Sequence, residues 1–196
     1  NNIFVALPQS RNDAPVYSTD GGDTWTMSSS FTSGIFFDVI YVADDNQFVA
    51  VGRTTPSTSS EGIVMTSADG VTWVARASTI IKSVPTWNSV TYGHEGGYIA
   101  ISTDRLTIDT NSPKAMRSTD GRTWQDANLK SGASDPFVSI AFGNGIYYAL
   151  RTTTTADLND QEDDQMVVAV AESSDWISLS DLDPPEYGMP ATFATG

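Results

Sequence analysis

The 196-residue chain carries 24 Asp and Glu against 10 Lys and Arg, a formal charge of −14 that opposes any phosphate-tracking role on nucleic acid and would be repelled by an anionic membrane surface. With no cysteine and a single histidine, His94, it excludes disulfides, zinc–thiolate sites, thiol nucleophiles and His-rich metal clusters. No apolar run approaches the roughly 18–20 residues of a spanning helix, no signal-peptide succession is present, and a chain of this size buries about 70% of its unfolded surface as one domain.

The chain opens Asn-Asn without Met, as a processed chain or a piece of something longer would. A short strand-like segment, "IFVAL" at 3–7, leads to "YSTDGGDTW" at 17–25, an Asp-Gly-rich turn of a kind that can hold a metal ion or close a hairpin. From Phe37 runs "FDVIYVADDNQFVAVG", in which Val39 and Tyr41 alternate as strand residues before an Asp/Asn turn. Phe48 to Val51 then form a second strand, apolar throughout as expected for one buried on both faces. A variable polar segment follows, and the phrase ends in "TSADGVTW" at 66–73.

That order recurs. "WNSVTYGHEGGYIAIS" from Trp87 repeats the alternation at Val90/Tyr92 and the second strand at Tyr98 to Ile101, and reaches "RSTDGRTW" at 117–124. "FVSIAFGNGIYYALR" from Phe137 repeats it at Ile140/Phe142 and Ile146 to Leu150, and reaches a decayed "ESSDW" at 172–176. Trp25, Trp73, Trp124 and Trp176 lie 48, 51 and 52 residues apart, the period of an array or propeller, and helical periodicity is sustained nowhere. Each unit reads as four antiparallel strands, which describes a propeller blade.

The expected fold is therefore all-β: a single β-propeller domain over 1–196 with units at approximately 1–27, 37–76, 87–127 and 137–178. Residues 191–196, "ATFATG", match the first strand and turn "SIAFGNG" at 139–145, while 3–7 match the second strand "IYYAL" at 146–150. Residues 187–196 are thus expected to complete the first unit. The matching ends fit a closed four-bladed ring and equally a window from a ring of six to eight blades.

The repeated phrase resembles the Asp-box, or BNR repeat, of sialidase-type propellers. Its residues here are Ser18, Asp20, Gly22 and Trp25; Ser67, Asp69, Gly70 and Trp73; Ser118, Asp120, Gly121 and Trp124; and, without the Gly and Thr, Asp175 and Trp176. In that family the box is a turn between the third and fourth strands and does not carry catalysis, so the resemblance implies turn-holding acids. The physics agrees: Asp accepts backbone N–H bonds, Gly supplies positive φ, and Trp covers apolar surface between blades. A catalytic acid is not needed three times.

Function is expected on the opposite rim, in segments 53–62, 102–114 and 151–164 and in the connections 28–36, 78–86 and 127–136, which differ between units as functional loops on a rigid scaffold do. Sialidase chemistry, as the resemblance implies it, uses an arginine cluster, an acid, and a Tyr with an acidic partner. Arg53, Arg105 and Arg151 fall near the end of the second strand in successive units; against a carboxylate site, Arg105 comes later in phase, the family's first-strand arginine motif is absent and no Tyr stands beside a Glu. The acidic run Asp157, Asp160, Glu162, Asp163 and Asp164 offers oxygens for Ca²⁺ but lacks EF-hand spacing, and reads as a solvated loop. His94 reads as an inert turn histidine.

In style, the phrases are similar to propellers in tail, nozzle, fibre and head-decoration proteins of bacteriophages. That resemblance implies a non-enzymatic virion structural or host-contact module, extracellular or on the virion. It would need no cofactor and would be held in a symmetric assembly with other virion proteins, with a host-surface glycan or protein as a further partner. The alternatives are a sialidase-like glycan-binding or glycan-hydrolysing propeller and an assembly-factor propeller.

Overall fold

The computed structural model describes residues 3–8, 13–54, 60–84, 86–94, 96–102, 115–127, 137–154, 164–172 and 180–181, with side chains described through residue 150. Within these the chain is all-β and antiparallel. The first sheet holds β1 (Phe4–Ala6), β2 (Val16–Ser18) and β3 (Thr26–Met27). The second holds β4 (Gly34–Val42), β5 (Gln47–Thr54), β6 (Gly62–Ser67) and β7 (Val74–Arg76). The third holds β8 (Ser89–Gly93), β9 (Gly97–Ile101), β10 (Ala115–Ser118) and β11 (Gln125–Asp126), and the fourth β12 (Phe137–Gly143), β13 (Ile146–Thr154), β14 (Asp164–Glu172) and β15 (Ser180–Asp181). Strand order follows chain order in every sheet, so each is a meander of hairpins.

The tight turns have local causes. Asn46 and Asn144 adopt φ of 46° and 53°, and Gly97 and Gly145 adopt 78° and 80°, the left-handed values that short hairpin turns demand. A single turn of 3-10 helix, Ile81–Ser83, fills the connection between the second and third sheets, and the Trp87 indole donates to the Ile81 carbonyl at 2.7 Å. In β4 and β12 the register slips between Phe36 and Asp38 and between Phe137 and Ser139, a bulge at the same place in two units.

The core lies between sheets rather than within one, and period-two alternation of the second strands builds it. In β5, Phe48 and Ala50 face the first sheet, packing with Ile3, Val5 and Leu7, while Val49 and Val51 face the third, packing with Tyr98, Ala100, Met116 and Trp124. In β9, Tyr98 and Ala100 face back to the second sheet, while Ile99 and Ile101 face forward to Phe137, Ile140, Tyr147 and Ala149 of the fourth. Each middle second strand is thus buried on both faces, which is why it reads as a continuous apolar run. Three interfaces of one design stack four sheets in order.

Among the described residues no strand joins the first sheet to the fourth, and no closed ring is formed. Residues 187–196, expected to complete the first unit, lie outside the described residues.

Candidate functional site

The three intact boxes are self-contained turns. Ser18, Ser67 and Ser118 are buried, and each hydroxyl donates to the acid two residues on, at 2.7, 3.0 and 3.0 Å. The acid accepts in turn from the far side of the loop. Asp69 Oδ1 takes the N–H groups of Val71 and Thr72, at 2.9 and 2.7 Å, and Asp120 Oδ1 those of Arg122 and Thr123, at 2.8 and 2.7 Å. Asp20 takes both the hydroxyl and the N–H of Thr24, the extra Gly displacing the loop by one residue. Gly22, Gly70 and Gly121 stand at positive φ, and the carbonyl of each accepts the indole N–H of its own Trp at 2.9–3.1 Å. The fourth strands begin one residue after the Trp.

These bonds set the charge state of the acids. Thr24, through its hydroxyl and then its N–H, with Ser18, holds Asp20 far below the usual carboxylate range. At Asp69 and Asp120 burial pushes upward, but the N–H groups of Thr72 and Val71, or of Thr123 and Arg122, with the serine hydroxyl, outweigh it and leave both lowered. A carboxylate so held stays ionised at neutral pH and is a poor proton carrier there. Among the described residues no group of three or more His, Asp or Glu could hold a metal ion.

Polar ties also cross between sheets. Gln47, in the β4–β5 turn region, is only 2% exposed; its Nε2 donates to the Tyr98 hydroxyl at 2.9 Å and to the Asp120 carbonyl at 2.7 Å, while Arg122 donates to its Oε1. The Tyr98 hydroxyl donates to Asp45 at 2.6 Å, and burial with that bond raises its pKa. Tyr147 repeats the device one sheet on, donating to the Gly97 carbonyl at 2.7 Å, and burial pushes it up to about 12. On the first strands, Asp38 Oδ2 accepts from the Ser89 hydroxyl and the Val90 N–H, both at 2.9 Å, and Ser89 Oγ accepts the Ile140 N–H at 3.4 Å. His94 meets Asp44 of the preceding unit at 2.6 Å, with both side chains largely exposed. Sequence spacing signalled none of these pairings, because the partners lie 50 to 75 positions apart.

On the opposite rim the arginines do not share one register. Arg53 pairs with Ile35 while Gly52 pairs with Phe36; Arg151 pairs with Phe137, the counterpart of Phe36. Arg151 therefore stands where Gly52 stands in the ladder, one position short of Arg53. The Arg53 guanidinium sits 5.8 Å from the centre of the Phe37 ring, the exposed aromatic at the bulge. Arg105 lies outside the described residues, as do Asp157, Asp160, Glu162, Asp163, Asp175 and Trp176. Asp164 opens β14 opposite Thr154.

No protein-family model matches the chain, and no curated protein does. Among solved structures it is similar to the Trypanosoma rangeli sialidase in complex with the inhibitor DANA, at 17% identity and a TM-score of 0.46, over 74% of this chain and 25% of that one. It is also similar to a GH32 beta-fructofuranosidase of Bombyx mori solved with sucrose, at 13% identity and a TM-score of 0.49, over 92% of this chain and 46% of that one. The chain thus spans a quarter of the first and less than half of the second.

Proposed function

We propose that the chain is a non-enzymatic structural or host-contact module of a phage virion, from the tail, nozzle, fibre or head decoration. In this reading its four units are Asp-box propeller blades, its partners are other virion proteins in a symmetric assembly, and its unit-specific rim loops meet a host-surface glycan or protein. One observation supports the non-enzymatic part: the acids that look most like a reactive cluster, Asp20, Asp69 and Asp120, each accept hydrogen bonds from within their own turns. The virion part rests on the style of the repeat and on the polar, variable loops.

The test pairs two measurements. The purified chain is expected to sediment with intact phage particles and to leave a fluorogenic sialoside unhydrolysed. Turnover of the sialoside, lost on Arg53→Ala, would replace this reading with a glycan-processing one, and failure to sediment with particles would remove the virion assignment.

A further inference from the structure

The three packed interfaces define what each sheet presents to the sheet before it. In the second strands, Phe4, Phe48 and Tyr98 hold one register position, each opposite the box serine of its sheet, and Tyr147 is their counterpart in β13, paired with Phe142 of the first strand as Phe48 is with Tyr41 and Tyr98 with Tyr92. Phe48, Tyr98 and Tyr147 are 6%, 0% and 1% exposed, all against the preceding sheet; Phe4 is 50% exposed. Two residues on, Ala50, Ala100 and Ala149 are buried and Ala6 is exposed. Trp73 and Trp124 are 3% and 4% exposed, and Trp25 is 46% exposed. Met27 is exposed beside them, and Ala6, Val16 and Met27 line an open depression of about 390 Å³. The first sheet therefore carries a finished inter-sheet face with nothing described against it.

The complementary face is equally defined. At each interface the preceding sheet supplies two alternate second-strand residues: Val5 and Leu7, Val49 and Val51, Ile99 and Ile101. In the fourth sheet those positions are Tyr148 and Leu150, half-buried and outside all three interfaces. The chain thus owns both halves of a fourth interface and, with Phe4 and Trp25 half exposed, does not join them among the described residues.

We propose that this face of the first sheet docks the free face of the fourth sheet of a second copy of the chain. The contact is head-to-tail, and formed twice it closes two copies into one ring. Four sheets from each copy reach the upper end of the usual range of about four to eight blades.

Sedimentation velocity of the whole chain tests it, with Phe4→Glu or, on the exposed turn, Trp25→Gln altering one face and Leu150→Glu the other. The expected result is a species of twice 21.0 kDa for the unaltered chain. Each single variant should weaken association at least about tenfold in Kd while keeping its β circular dichroism. An equimolar mixture of Phe4→Glu and Leu150→Glu should recover association, because each variant retains the half the other lacks, an effect unfolding would not produce. An unaltered chain that stays monomeric up to about 100 μM overturns the proposal. So does a dimer indifferent to both faces, and so does a mixture of folded variants that does not associate. Should Phe4→Glu fail to fold, Trp25→Gln takes its place in the mixture.

Discussion

The first box and the two that follow it are one motif in two settings. All three close the same serine–aspartate–backbone network and the same indole-to-carbonyl bond, yet Trp25 is 46% exposed where Trp73 and Trp124 are 3% and 4%. The turn is therefore determined locally, by residues within the loop, and needs no neighbour. The tryptophan's stabilising contribution is not local: it depends on the sheet in front. One short phrase combines a hydrogen-bonded turn that works alone and an apolar plug that works only against a partner.

The largest test of that separation is truncation of the plug. Trp73→Ala and Trp124→Ala should each cost about 3–5 kcal/mol in urea unfolding, as large buried aromatics do, while Trp25→Ala in dilute protein should cost under about 1 kcal/mol. Equal losses at Trp25 and Trp73 would end the comparison. Next comes the glycine. A Cβ at Gly121 would stand 2.7 Å from Gln47 Nε2 and 3.0 Å from Val49 Cγ2, whereas one at Gly21 meets nothing within 4 Å. Both have positive φ, so Gly21→Ala should cost about 1–2 kcal/mol from backbone strain alone, and Gly121→Ala about 2–4 kcal/mol once crowding of the second sheet is added.

The smallest effect is protonation of the turns. The lowered Asp69 and Asp120 bind fewer protons folded than unfolded, so their contribution is complete above the ordinary value of 3.8 and is lost as pH falls through the folded values. Stability measured by urea unfolding should decline from about pH 4 downward, and Asp69→Asn or Asp120→Asn should flatten that decline. Asp20→Asn should flatten it as well, although Trp25 is exposed, because its hydrogen bonds lie wholly within the turn.

What could be read from sequence divides along the same line. The box turns and the apolar second strands were legible because their causes are local: a serine, an acid and a glycine at fixed spacing, or four consecutive apolar residues. Gln47 was not, since within "DDNQF" it reads as one more polar turn residue, and its partners Tyr98 and Asp120 come from 51 and 73 positions away. Asp38 likewise reads as a strand-end acid until Ser89 and Val90 are brought to it. The bulges after Phe36 and Phe137 leave no composition mark. Arg53 and Arg151 both fall near the end of the second strand in sequence, while the ladder places them one position apart.

The aromatic in the second strand and the tryptophan of the box face the same way in the second and third sheets, and this imposes a rule on growth by duplication. Inserting another copy of the unit buries one such pair and exposes no new one inside the array, yet the leading copy still carries its own uncovered pair. Lengthening the chain relocates that sticky end without abolishing it. Only circular closure or a polar terminal cap removes it, so the constraint against adventitious clumping falls on the two terminal units, and the internal ones are free to diversify their rims.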